Sequence, residues 1–250
     1  MKLSPFIIFL TILLSCKQSN TDKAFTAQQL VDTSISVSGG ENYLTHDVSF
    51  SFRDKHYESQ NIKGKKVLKR ITNTDTVKIT DIKKGSDFQR FFNDDLISLP
   101  DTLAQKYANS VNSVHYFSRL PFGLNDPAVK KELLGEVKLK GEHFYKVKVT
   151  FEQKNGGKDF EDIYLYWFEK NSSKPKYLAY EFHVDGGGIR FREAFNERHV
   201  QGIRFVDYNN YKPLKGQNVD FMKIDSLFEN NELELLSKIE LKEIRVEPSL

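Results

Sequence analysis

Six consecutive residues, Ile163-Tyr164-Leu165-Tyr166-Trp167-Phe168, leave an extended chain with no face suited to water. Successive side chains of a strand point to opposite sides. This segment therefore requires apolar cover above and below it, as a central strand does, and the segments around it have to supply that cover.

Its neighbours read as strands with one wet face. Val48, Phe50 and Phe52 alternate with Asp47, Ser49, Ser51 and Arg53. Tyr145, Val147, Val149 and Phe151 alternate with lysine and threonine, and Leu178, Tyr180, Phe182 and Val184 repeat the pattern. Shorter strands are expected around Val67, Leu68 and Ile71, and around Val77, Ile79 and Ile82, with the turn Thr72-Asn73-Thr74-Asp75 between them. Asn155-Gly156-Gly157 and Gly186-Gly187-Gly188 are turn signals. Ile189, Phe191, Val200, Ile203 and Phe205 continue the meander, and Ile239, Leu241, Ile244 and Val246 suggest one edge strand at the tail. The chain holds 20 Phe and 11 Tyr, residues that suit a pleated, half-buried surface.

Two helices interrupt the strands. Thr26 is placed to cap a helix starting at Ala27-Gln28-Gln29-Leu30, and Gly39-Gly40 stops it. Leu103, Tyr107, Val111, Val114 and Phe117 recur at three- and four-residue steps, which predicts a helix over Leu103–Leu120 with Asp101 as its cap and Pro121 at its end. Pro127 followed by Ala128–Leu134 suggests one further short helix. Many strands joined by tight turns, with helices inserted, imply a mainly β, α+β fold. A large antiparallel sheet of that size curves, giving a half-barrel wrapped around the helices.

The N-terminus has a separate role. Lys2 precedes the apolar run Phe6–Leu14, which is too short to span a bilayer and has signal-peptide proportions. It ends in Leu13-Leu14-Ser15-Cys16, which resembles the bacterial lipobox. That resemblance implies cleavage after residue 15 and acylation of Cys16, by diacylglycerol and palmitate-type chains. Cys16 is the only cysteine, so no intramolecular disulfide exists and burial alone stabilises the fold. The expected organisation is a signal peptide at 1–15, a lipidated polar tether at 16–23 and a single domain at 24–250.

Three stretches carry a wider resemblance: SVHYFSRLPFGLNDPAV (113–129), YLYWFEKNSSKPKYLAYEF (164–182) and HVQGIRFVDYNNYKP (199–213). Together they resemble a family of envelope lipoproteins from Bacteroidota. The second is also similar in style to the LolA and LppX-like half-barrels, which hold acyl chains in a hollow around helices. No functional residue of LolA matches a position of this chain, and an anchored chain departs from LolA, a soluble shuttle. What the resemblance implies is a cell-envelope location, outer membrane first, and a lipid or other apolar ligand. The residues expected to border its hollow are Phe117, Leu120, Phe122, Tyr166 and Tyr180.

Catalytic chemistry finds no support. The histidines His46, His56, His115, His143, His183 and His199 form neither HExxH nor HxH, and no GxSxG, Walker or GxGxxG pattern occurs. His115 reads as a half-buried helix residue. No metal or cofactor is expected. With 37 basic and 34 acidic residues, a net charge of +3 does not suggest nucleic acid. Arg190 and Arg192 share one face of a strand, with Arg204 on a neighbouring one, so they are candidates for an anion site, against the plainer reading of an exposed face paired with Glu193 and Glu197. The leading expectation is a ligand-binding envelope lipoprotein; next comes an interaction or scaffold lipoprotein whose hollow its own side chains fill, and an enzyme is third.

Cys16→Ser is expected to abolish incorporation of labelled fatty acid and to release the protein from the membrane fraction. Label in the serine variant, or none in the wild type, would show that Cys16 is not the acceptor.

Overall fold

The computed structural model describes residues 26–62, 64–152, 161–183 and 186–249. Cys16, the tether, Val184 and the turn Asn155-Gly156-Gly157 lie outside the described residues.

The fold is mainly β, as expected, and the antiparallel sheet is realised as two seven-stranded sheets. The chain opens with α1 (Ala27–Ser38) and the single turn α2 (Asn42–Thr45). Thr26 and Gln29 form a reciprocal capping box on α1, each side chain bonding to the other residue's backbone. The first sheet then forms as a meander of β1 (His46–Phe52), β2 (Lys55–Ile62), β3 (Lys65–Asn73), β4 (Lys78–Lys84), β5 (Asp87–Phe92) and β6 (Asp95–Ile97). Helix α3 (Asp101–Ser118) and a 3-10 turn (Phe122–Asn125) carry the chain across to the second sheet. That sheet is again a meander: β7 (Val129–Leu139), β8 (Glu142–Phe151), β9 (Ile163–Glu169), β10 (Pro175–Phe182), β11 (Gly188–Val200) and β12 (Ile203–Pro213). A short helix α4 (Ile224–Glu229) precedes β13 (Leu233–Ile239), which completes the second sheet, and β14 (Lys242–Pro248) returns to pair with β1 in the first.

Strand β9 has cover on both sides, as its composition demanded. Tyr166 and Phe168 face an interior built jointly by the two sheets, α1 and α3, where Leu30, Val31, Phe50, Tyr57, Val147, Val149 and Phe205 are buried. Leu165 and Trp167 face the other way, into a second cluster with Phe144, Tyr177, Phe191, Phe221, Ile224 and Phe228. The outer cover is α4, fixed by a polar anchor. Asp225 Oδ2 accepts from Lys146 Nζ at 2.8 Å and from Trp167 Nε1 at 3.1 Å.

Helix α3 is seated on the first sheet by charge as much as by apolar contact. Asp81 on β4 is 1% exposed and accepts from Arg70 on β3 (Nε 2.9 Å, Nη2 2.6 Å) and from Arg90 on β5 (Nε 2.7 Å, Nη2 3.0 Å). Arg70 Nη1 then donates to Ser110 of α3 at 2.8 Å, and the Arg90 guanidinium lies 3.4 Å from the Tyr107 ring centroid. At the crossing between sheets, buried Asp207 accepts from the Leu241 backbone N–H (2.9 Å), Arg198 Nη2 (3.0 Å) and Asn196 Nδ2 (2.7 Å), which pins the corner between β13 and β14.

Three local expectations are corrected. Ala128–Leu134 is not helical, since Val129–Leu139 is β7, with exposed Lys130, Glu132, Leu134, Glu136 and Lys138 alternating with half-buried residues. Such a lysine- and glutamate-rich strand suits a sheet edge, and Gly135, at φ +114°, takes up a bulge there. Asp101 is the first residue of α3 rather than its cap, which is Pro100; its carboxylate sits in the first turn, where the helix dipole favours it. The tail forms two strands on different sheets, because Leu241 turns the corner between Ile239 and Ile244.

Trp167 is fully buried, packs 5.4 Å from the Phe191 ring and bonds to Asp225. Trp167→Ala should lower the stability of the protein by about 3–5 kcal/mol, read as a fall in the denaturant midpoint. An unchanged midpoint would contradict the role of β9 as the central strand.

Candidate functional site

The C-terminal end of α3 borders a cavity of about 260 Å³. Asn112, His115, Tyr116 and Arg119 enter it from the helix, at steps of three, four and seven residues, so they share one helical face. Lys66 and Leu68 on β3 and Lys83 on β4 form the opposite wall. Phe122, Gly123 and Asp126 close it from the 3-10 turn. Gly123 is required here because a Cβ would collide with the Tyr116 ring.

The walls contain polar atoms without partners. His115 is 1% exposed, and its ring meets Phe50 and Tyr57 edge-on at 5.9 and 5.6 Å. Its Nε2 lies 3.0 Å from the Lys69 carbonyl oxygen, which can only accept, so Nε2 carries the proton and Nδ1 is the buried, unpartnered nitrogen. Burial lowers its pKa to about 4. Arg119 is half-buried, with Nη1 shut off from solvent and without a hydrogen-bond partner among the described residues. Burial brings its pKa down to about 10, so it is still a cation at neutral pH. Asp126 is pushed up by burial, and the pull of Arg119 and Lys131 does not offset this.

The residues expected to line a hollow are dispersed. Phe122 lines the cavity and stacks on Tyr43 at 4.8 Å. Leu120 and Tyr166 are buried in the interior core, at 5% and 1% exposure. Phe117 and Tyr180 are half-buried and meet through a third residue: the Arg192 guanidinium lies 5.3 Å from the Phe117 ring and 5.1 Å from the Tyr180 ring, and Nη2 donates to the Tyr180 hydroxyl at 3.0 Å. The three arginines do not converge. Arg192 pairs in register with Asn210, whereas Arg204 pairs with His199 at the far end of β12. Arg204 is 3% exposed and is bound by Glu197 at 2.6 Å, and Arg190 Nη1 donates to the Ile189 carbonyl. Cys16 lies outside the described residues.

The cavity residues Arg119, Lys66, Lys83 and Asp126 were not anticipated as a set. The helical spacing of Asn112, His115, Tyr116 and Arg119 was the available signal, an inward polar stripe ending in a cation. Among the described residues, no group of three or more His, Cys, Asp or Glu is placed to hold a metal ion, and no helix is long and apolar enough to cross a membrane.

A family model described as a family of unknown function (DUF6503) matches residues 4–243. No curated protein matches the chain in sequence. Among solved structures, the chain is similar to a LolA superfamily protein from Nitrosomonas europaea, at 13% identity and a TM-score of 0.50, over 90% of this chain and 92% of that one. It is equally similar to a DUF1329 family protein from Desulfovibrio piger, at 9% identity and a TM-score of 0.50, over 90% and 95%. At these identities the likeness is one of fold.

The buried, neutral His115 makes stability pH-dependent. Its folded pKa lies below its unfolded value of about 6.5, so the unfolded chain binds the proton more readily. Stability is complete above the unfolded value and falls as the pH drops towards the folded one. From about pH 7.5 to about pH 5 this group should remove about 2 kcal/mol. His115→Gln should flatten that part of the pH–stability curve; an unchanged slope would place the effect on other groups.

Proposed function

We propose, from the premise that this chain belongs to the DUF6503 family, that it is an envelope lipoprotein, anchored through Cys16, whose half-barrel binds a lipid or other apolar ligand. The observation that carries this reading is the cavity at the end of α3, open on a wall of aromatic side chains in the stretch 113–129. Phe122 and Tyr116 supply apolar surface, and polar groups stand around it, which is the usual composition of a small-molecule site. The fold shared with a LolA superfamily protein supports the same reading, as does the resemblance to Bacteroidota envelope lipoproteins. The tether at 16–23 would join the lipid to the domain at 24–250 and hold it close to a membrane, outer membrane first.

Size limits the ligand. At about 260 Å³ the cavity is just below the range of about 300–1,000 Å³ that small-molecule sites occupy. It accommodates a head group and a short length of chain. The rest of the interior is packed, with Val147, Phe168 and Ile203 at 0% exposure. That packing favours the second reading, a scaffold or interaction lipoprotein whose hollow is filled by its own side chains.

Binding of an apolar fluorescent probe separates the two. Asn112 is exposed and lines the cavity mouth, so Asn112→Trp should obstruct entry without disturbing the core. The purified protein is expected to enhance the probe's fluorescence, phospholipid to compete, and the variant to bind about tenfold more weakly or worse. Absence of lipid-competable binding would leave the scaffold reading in place.

A further inference from the structure

We propose that the cavity at the end of α3 is an anion subsite, built for the phosphate or carboxylate of an amphiphilic ligand, with Arg119 as its main donor. This rests on the reading of that cavity as a ligand site and specifies the chemistry of the ligand.

The charge balance points to an anion. Three cationic side chains, Arg119, Lys66 and Lys83, line the cavity against a single acid, Asp126. Two other cations on the same strand as Lys66 are paired, Lys69 with Glu58 at 3.4 Å and Arg70 with Asp81 at 2.6 Å, while Lys65 is exposed to solvent. Among the described residues, no carboxylate lies within 4.0 Å of the three that face the cavity. Lys66 Nζ instead sits 5.4 Å from the Phe122 ring centroid, and Lys83 Nζ donates to the Gly85 carbonyl. Asp126 does not serve as the missing partner. It makes no ion pair with Arg119 at that distance, and burial raises its carboxyl by more than the pull of Arg119 and Lys131 lowers it.

A buried guanidinium nitrogen without an acceptor is costly, and Arg119 Nη1 is such an atom. A planar donor fork suits the two oxygens of a carboxylate or phosphate. The Arg119 guanidinium also lies 5.6 Å from the Phe122 ring centroid, so the donor is set beside an apolar wall. Leu68 and Tyr116 extend that wall. An anion carried on a short apolar body satisfies both halves of the cavity; a neutral apolar molecule leaves the cations unpaired.

Calorimetric titration with dodecyl phosphate, dodecanol and inorganic phosphate tests this. Dodecyl phosphate is expected to bind the purified protein about tenfold or more tightly than dodecanol, as a charge-assisted hydrogen bond would give. Arg119→Gln should erase that preference by weakening dodecyl phosphate far more than dodecanol. Lys66→Gln, at a half-exposed position that does not endanger folding, should weaken dodecyl phosphate several-fold. Equal affinity for dodecyl phosphate and dodecanol would overturn the anion subsite while leaving the apolar site standing. Inorganic phosphate binding as tightly as dodecyl phosphate, and lost in Arg119→Gln, would support the anion subsite with a free anion as its ligand and remove the apolar reading. No binding of either phosphate would overturn the proposal.

Discussion

The second sheet has to be covered on both faces, and the remaining architecture is arranged around that requirement. Strands β9 and β10 carry Leu165, Trp167, Tyr177 and Ala179 on one side and Tyr166, Phe168 and Leu178 on the other, all 3% exposed or less. Exposing either set would forfeit about 1.5–3 kcal/mol for each large side chain. The inner set is covered by the first sheet with α1 and α3, and the outer set by the short segment Phe221–Glu229. A chain of 250 residues without an internal disulfide holds such layers together by burial and by non-covalent polar contacts.

Apolar contact alone does not fix where a cover sits, since one greasy surface slides over another at little cost. Three points of the arrangement are located by carboxylates, Asp81 and Asp207 buried and Asp225 half-buried. Asp225 ties α4 to Lys146 and Trp167, and Asp81 gathers Arg70 and Arg90 beneath α3, with Ser110 bonded to Arg70. Asp207 holds the corner where the chain returns to the first sheet. These acids have their acceptor sites filled by directed donors, which makes buried charge tolerable; removing one partner from such a set is costly. The cavity differs in this respect. At the end of α3 the donors outnumber the acceptors, and Arg119 and His115 each retain a buried nitrogen without a partner. Other buried polar atoms without a partner, Ser34 Oγ, Ser38 Oγ and Arg204 Nη1, lie away from the cavity, so its own deficit is distinguished by standing beside open space.

Parts of this were legible in one dimension. The stop at Gly39-Gly40, the capping signal at Thr26 and the period-two strands from Val48 onward are set by neighbours within a few residues. Short segments with mixed signals were not. Ala128–Leu134 has helix-forming residues after a proline, and pairing with β8 across the whole of β7 outweighed that preference. The segment Phe221–Glu229 is too short to declare itself, being helical because it lies on Trp167 and Phe191. Arg190, Arg192 and Arg204 alternate correctly on their strands, but the bulge in β11 and the length of β12 set Arg204 apart from the other two.

The sequence by itself determined that the protein is a mainly β half-barrel with a doubly covered central strand, because side-chain alternation is a local property of an extended chain. It also contained the inward stripe Asn112, His115, Tyr116 and Arg119, since helical periodicity is local too. Only the tertiary structure decided that this stripe faces Lys66 and Lys83, which lie some fifty and thirty residues away in the chain, and that Arg119 makes no ion pair within 4.0 Å among the described residues. Coulombic and hydrogen-bonding partners are chosen by distance in space. That distance is fixed by how α3 is seated on the first sheet, through Asp81 and its two arginines.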